Sequence, residues 1–167
     1  MLFGIDLGGT KIEVAVMDER GEFVFRQRTP TCSDSYDKII QQIHELMFSA
    51  QRATESASRI GVCTPGAISP LTGLLKNSNT TCLNGKPLLQ DLEMALGFPV
   101  KIANDADCFA LSEATDGAAA SFDSVFGVIL GTGVGGGVVI NGKLLSGPNA
   151  IAGEWGHYAV APHGLEC

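Results

Sequence analysis

The sequence predicts an α/β chain in two units, each opening on a strand, a glycine-rich turn and a second strand. Three observations carry that expectation. Leu2 to Leu7 and Ile12 to Met17 are short apolar runs either side of Gly8-Gly9-Thr10-Lys11. Val125 to Leu130 and Val138 to Ile140 likewise flank a second glycine-rich stretch, Gly131 to Gly137. Between these pairs, runs with strand alternation take turns with runs of helical spacing.

A third strand is expected at Phe23 to Arg28, after the Glu19-Arg20-Gly21 turn. From there Tyr36, Ile39, Ile40, Ile43, Leu46, Met47, Ala50 and Ala53 recur at helical spacing, with Ser33 to Ser35 as start signals and His44 on the solvated side. Ile60 to Cys63 reads as a buried strand ended by Thr64-Pro65-Gly66. Residues Ala67 to Gly85 are rich in Pro, Gly, Asn, Ser and Thr, with turn signals at Thr72-Gly73 and Asn84-Gly85. Excursions this long in a compact domain are usually functional, which makes this one a candidate substrate loop. A helix at Leu88 to Leu96 is stopped by Gly97 and Pro99. Val100 and Ile102 then alternate with Lys101 and Ala103 as a short buried strand does, and Asn104 is a favoured N-cap for a helix from Asp105 to about Asp116. Gly117 and the small residues Ala118 to Ser121 read as a hinge, dividing the chain into 1–118 and 119–167. In the second unit Asn141-Gly142 is a tight hairpin turn, with Lys143 to Leu145 as the returning strand.

The formal charge of -7 and the lack of any Lys/Arg run argue against broad nucleic-acid or anionic-membrane binding. Met1 to Thr10 has no basic region and carries Asp6, so it does not read as a signal peptide. The longest uncharged segment, Ser124 to Gly142, is broken by seven glycines and lacks a spanning apolar core. A soluble, cytoplasmic protein is expected. Five cysteines, an odd count at irregular spacing, suit a reducing compartment. Cys32, Cys63, Cys82 and Cys108 are most simply small core or loop residues.

Chemistry enters with Gly8-Gly9-Thr10-Lys11. Glycines let backbone N–H groups approach phosphate oxygens, while Thr and Lys add a hydroxyl and a cation. GIDLGGTK nearly spells a P-loop, but it ends Thr-Lys and opens a strand where a P-loop opens a helix. A plain hairpin explains its glycines but not Asp6, an acid in an apolar strand. GxGxxG at Gly131, Gly133 and Gly136 fails as a dinucleotide fingerprint for the same reason, since it opens a hairpin. Two such hairpins could flank one polyphosphate. Asn104 and Asp105 stand at the carboxyl end of a strand, where open α/β sheets bind ligands. Helix capping and dipole compensation explain them equally well at this point. Asp107, two residues on, points away from Asp105 and reads as a helix-face residue.

Four motifs, LFGIDLGGTKIEVAVMD, IANDADCFALSEA, FGVILGTGVGGGVVINGK and AGEWGH, together resemble the ROK family of bacterial sugar kinases and repressors, within the actin/hexokinase-like superfamily. The resemblance covers essentially the whole chain. It implies a ribonuclease-H-like ATPase fold, a mixed sheet flanked by helices, with the first lobe and the start of the second present. It further implies an ATP-dependent hexose kinase that binds MgATP and sugar, with Asp6 holding Mg²⁺ through water. Gly8, Gly9, Thr10 and Lys11 then resemble the first phosphate motif, and Gly131, Thr132 and Gly133 the second. Asp105 falls on the catalytic base and Asn104 on a sugar ligand. Glu154 and His157 fall on further sugar-hydroxyl ligands, and Gly66 and Asn79 in loops lining the sugar pocket. In the family the GH motif leads into a structural zinc cluster that includes this His. Here His157 and Cys167 could supply two of its four ligands, so the chain is expected to be a fragment that is inactive alone.

The chemistry suits that assignment, because a sugar hydroxyl is a poor nucleophile and a carboxylate that takes its proton is worth roughly 10²–10⁴-fold. KNSNTTCLNGKPL resembles the loop of fructokinases, which puts fructose or mannose first as substrate. FALSEA and GTGVGGG resemble N-acetylglucosamine kinases, the second alternative, with glucose third. A different class, a non-catalytic ROK regulator or sugar-binding module, is the remaining alternative. The resemblance also implies a homodimer when the protein is intact.

Overall fold

The computed structural model describes residues 1–54, 59–130 and 133–156. By contacts the chain divides into two compact units, Met1–Asp105 and Ala106–Cys167.

The first unit is built on β1 (Leu2–Leu7), β2 (Lys11–Met17), β3 (Phe23–Pro30), β4 (Arg59–Thr64) and β7 (Val100–Asn104), in the order β3-β2-β1-β4-β7. β1, β2 and β3 run antiparallel, whereas β1, β4 and β7 are parallel. The sheet is therefore mixed, as expected. Two helices pair with it, α1 (Tyr36–Thr54) and α2 (Leu88–Leu96). Alternate residues of the strands face the core: Phe3, Ile5 and Leu7 of β1, Ile12, Val14 and Val16 of β2, and Ile60 and Val62 of β4. They meet Ile39, Ile43 and Met47 of α1 and Leu88 and Leu92 of α2. Each such side chain, fully buried, contributes roughly 1.5–3 kcal/mol. The same alternation answers the oddity of Asp6: it shares the opposite face of β1 with Leu2 and Gly4, away from the core.

A polar clasp joins the helices. Tyr36 donates its phenolic O–H to Asp91 Oδ2 at 2.6 Å, with Lys86 Nζ 5.3 Å from the ring centre. Burial, followed by the neighbouring carboxylate, pushes the Tyr36 phenol upward, so it stays a donor. The excursion after β4 holds more regular structure than its composition suggests, a small hairpin of β5 (Ala67–Ile68) and β6 (Leu75–Lys76) and a 3-10 turn at Thr81–Leu83.

In the second unit, α3 (Asp105–Thr115) precedes a sheet of β8 (Ser124–Leu130), β9 (Val134–Ile140) and β10 (Lys143–Leu144). Asn141 and Gly142, with φ of 49° and 71°, form the tight turn between β9 and β10. The expected glycine loop is shorter than the sequence suggests. Gly135, Gly136 and Gly137 lie inside β9, opposite Ile129, Val128 and Gly127 of β8. Close packing explains them. A Cβ on Gly137 would stand 2.7 Å from the carbonyl oxygen of Ala106 and 2.8 Å from Cα of Asp107. One on Gly127 would stand 2.7 Å from Cβ of Ala110. Ala106 and Ala110 are one helical turn apart and both buried, so α3 lies almost backbone to backbone on β8 and β9. Contact density thus groups α3 beyond Asp105 with the strands that follow it. The lobe boundary at 118/119 stands as a separate proposal.

These contacts separate two glycines that look alike in sequence. Gly137→Ala should destabilise by about 1–3 kcal/mol, the usual range for an overpacked site. Gly61→Ala in β4, where a Cβ meets nothing within 4 Å among the described residues, should be neutral or slightly stabilising. Urea unfolding of both variants checks this, and equal midpoints would contradict the packing account.

Candidate active site

Three parallel strands end side by side in the first unit. Register pairs Asp6 of β1 with Cys63 of β4, Cys63 with Ala103 of β7, and Thr64 with Asn104. Neighbouring strands lie about 4.8 Å apart, so β1 and β7 are about 10 Å apart across β4. Asp6 and the Asn104-Asp105 pair are therefore delivered to one edge of the sheet by strands that cannot slip without inverting their faces. Both carboxylates are exposed. The thiol of Cys63 donates to Asp6 Oδ1 at 3.1 Å, which sets that carboxylate from the side.

The turn after β1 is closed by Gly8 N–H donating to the Lys11 carbonyl at 2.9 Å. Thr31 fastens it from outside, its hydroxyl donating to Gly8 O at 2.8 Å and its N–H to Thr10 O at 3.0 Å. No partner is found among the described residues for the N–H groups of Gly9 and Thr10. Unpaired N–H groups on a glycine turn, with Lys11 exposed beside them, are a fit for phosphate oxygens.

The candidate substrate loop begins at Gly66, where only a residue without a Cβ fits: φ is +83°, and a Cβ would meet the carbonyl oxygen of Lys76 and stand 2.9 Å from Ser78 N. Asn104 Nδ2 donates to Gly66 O at 3.1 Å, tying the end of β7 to the start of the loop. Farther along, Asn84 clamps Ser78 twice, its Oδ1 accepting from Ser78 N at 2.8 Å and its Nδ2 donating to Ser78 O at 2.9 Å. Ser78 Oγ in turn accepts from Thr80 N at 3.1 Å. Asn79 is thereby held between two fixed residues with its own side chain exposed. The loop also meets the glycine turn: a Cβ on Gly9 would stand 3.2 Å from Thr80 Oγ1 and 3.8 Å from Asn79 Oδ1.

The structure thus brings together Asp6, Gly8, Gly9, Thr10, Lys11, Gly66, Asn79, Asn104 and Asp105. Sequence reasoning missed the supports. Cys63 passes for a small core or loop residue because its place beside Asp6 depends on strand register. Asn84 reads as a turn residue ahead of glycine, although Asn in that place also favours side-chain bonds to nearby backbone. Thr80 carries a buried hydroxyl without a partner, which costs about 1–3 kcal/mol.

The second unit holds two of the remaining candidates. Gly133 is exposed just before β9, and a Cβ there would meet nothing within 4 Å among the described residues, unlike Gly136 and Gly137 of β9. Glu154 is exposed on a segment laid closely on β9. Gly153 has room for no Cβ against the Gly136 carbonyl, and Trp155 Nε1 donates to Gly135 O at 3.2 Å while its ring meets Phe126 edge-on at 6.2 Å. Gly131, Thr132, His157 and Cys167 lie outside the described residues.

The donor set fits magnesium nucleotide. Mg²⁺ commonly takes one or two carboxylates and completes its shell with phosphate oxygens and water. Asp6 beside the unpaired turn N–H groups offers such a set. Among the described residues no cluster of three or more His, Cys, Asp or Glu could hold a metal by itself.

Comparison with known proteins bears on the fold and the family. The ROK family profile matches residues 2–167. The N-acetyl-D-glucosamine kinase of Pasteurella multocida is 42% identical over 165 residues, covering 99% of this chain and 54% of that protein. Among solved structures, a ROK hexokinase from Thermus thermophilus superposes with a TM-score of 0.85 at 33% identity, covering 99% of this chain and 55% of that one. A ROK family glucokinase from Streptomyces griseus, in complex with glucose and AMPPNP, gives 0.84 at 31% identity, covering 98% of this chain and 52% of that one. The chain spans about half the length of the curated relatives it matches. Its mixed sheet flanked by helices is the actin/hexokinase-like fold. The chain belongs to the ROK family.

Proposed function

We propose that the whole protein is an ATP-dependent sugar kinase that transfers the γ-phosphoryl group of MgATP to the 6-hydroxyl of N-acetyl-D-glucosamine. The observation that carries the kinase reading is the meeting of a phosphate-type turn, a polar loop and two carboxylates at the carboxyl ends of β1, β4 and β7. The sugar is supported by the relatives, since curated proteins about 40% identical are named N-acetyl-D-glucosamine kinases. That support displaces fructose and mannose, which the resemblance of a single loop put first. Glucose remains the nearer competitor, because a ROK glucokinase shares the fold at 31% identity.

In this reading the N–H groups of Gly9 and Thr10 and the Lys11 ammonium hold phosphate oxygens, with Gly131, Thr132 and Gly133 as the second phosphate motif. Asp6 holds Mg²⁺, which when bound neutralises phosphate charge. Asn104, Asn79, Gly66, Glu154 and His157 present directional donors and acceptors to the sugar hydroxyls. Asp105 accepts the proton of the attacking hydroxyl, and phosphoryl transfer otherwise demands positioning and charge neutralisation. Asn104, which ends β7, directly precedes the acid that opens α3, so the strand end places that acid. A structural zinc bound by His157 and Cys167 belongs to the same proposal, and no step above depends on it. Cytoplasmic location and a homodimer complete the reading. Among the described residues no helix is long and apolar enough to cross a membrane.

The substrate is checked by coupled ADP-release assays of the whole protein on N-acetylglucosamine, glucose, fructose and mannose. N-acetylglucosamine should give the highest kcat/KM, and absence of turnover on all four sugars would overturn the kinase reading. Asp105→Asn in the whole protein should lower kcat by roughly 10²–10⁴-fold, with sugar binding by calorimetry retained. A variant with normal kcat would require a different base.

A further inference from the structure

Thr80 Oγ1 is a buried side-chain atom without a hydrogen-bond partner among the described residues, and Thr80 is 4% exposed. Threonine directly before a helical turn commonly caps it through the hydroxyl. Thr80 stands in that place ahead of Thr81–Leu83 and makes no such bond. Its hydroxyl faces the glycine turn instead, 3.2 Å from where a Cβ on Gly9 would be, with Asn79 Oδ1 close to the same point. In the turn, the Gly9 carbonyl has no partner among the described residues. An enclosed hydroxyl without a partner thus lies against the glycine turn, and the two segments are assigned above to different ligands.

We propose that Thr80 is a positioning residue that couples the glycine turn to the Asn79 loop. The inference rests on the kinase reading. When the turn settles around a phosphate group, its Gly9 and Thr10 N–H groups serve the phosphate, and the Thr80 hydroxyl donates to the Gly9 carbonyl. That bond sets the side chain of Asn79, because Thr80 is its chain neighbour and Ser78, on the other side, is fixed by the Asn84 clamp. A small shift suffices, since the Thr80 hydroxyl already lies against the turn. Such coupling is reciprocal: if nucleotide tightens sugar binding through this contact, sugar tightens nucleotide binding by the same factor.

Calorimetry on the whole protein tests it, using N-acetylglucosamine and a non-hydrolysable ATP analogue with Mg²⁺, each alone and then together. In the wild type each ligand should strengthen the other roughly 10-fold, within the usual range of such couplings. Thr80→Val keeps the shape and removes the hydroxyl. It should bind each ligand alone as the wild type does, melt at the same or a higher temperature, and lose the mutual strengthening, with Thr80→Ser restoring it. Coupling that survives in Thr80→Val overturns the proposal, as does a wild type that binds both ligands independently. Failure of the wild type to bind either ligand overturns the kinase reading as well. Should Thr80→Val not fold, amide exchange decides: saturating sugar alone should slow exchange at Gly9 to Lys11 several-fold in the wild type, and unchanged exchange overturns the coupling.

Discussion

The parallel register of β1, β4 and β7 is the constraint on which the rest of the first unit depends. Asp6 beside Cys63, and Thr64 beside Asn104, follow from one alignment of backbone hydrogen bonds. That alignment is enforced from the other face of the sheet, where Phe3, Ile5, Leu7, Ile60 and Val62 meet α1 and α2. A one-residue slip of β1 would turn Asp6 into the core and Ile5 into water. Burying a carboxylate without a partner costs far more than any contact at the site contributes. The apolar face therefore fixes the polar edge, and the chemistry inherits its precision from packing that never touches a ligand.

Glycine serves two opposite ends in this chain. In β8 and β9 it removes side chains so that α3 can lie on the strands, where Ala106 and Ala110 face the gap. At Gly66 it allows a left-handed backbone under which the loop folds back on itself. At Gly133 neither holds among the described residues, where a Cβ would meet nothing within 4 Å. Sequence composition cannot tell these uses apart, because each appears only as a missing Cβ. The surroundings of that missing atom distinguish them.

Element order and type were legible because hydrophobic spacing is local. The alternation of β1 and β2, the helical spacing from Tyr36 to Ala50 and the stop at Gly97 each depend on a few adjacent residues. The place of Asp6, Asn104 and Asp105 at strand ends was legible for the same reason. What sits beside them was not. Cys63 touches Asp6 only through the pairing of strands far apart in the chain, and Asn84 clamps Ser78 only because the loop turns back between them. The sugar proposed differs from the one the sequence put first because likeness spread along the chain, in which a protein named an N-acetyl-D-glucosamine kinase matches over 99% of its length, outweighs likeness confined to one loop.

The loop from Gly66 to Gly85 shows why a polar segment can be rigid without a core of its own. Its backbone bonds run to neighbours at every stage: Ser69 N–H to Leu74 O at 2.9 Å, Leu75 N–H to Lys86 O at 2.9 Å, and Gly85 N–H to Leu75 O at 2.8 Å. Leu75 and Leu83, both fully buried, anchor it to the apolar face shared by α1 and α2. Exposed backbone that is paired in this way loses little further entropy on binding, and preorganisation of that kind raises affinity without new contacts. Asn79 is the residue this scaffolding leaves exposed between two fixed neighbours. A polar side chain presented from a fixed backbone can select among hydroxyl patterns, which a mobile one would tolerate alike.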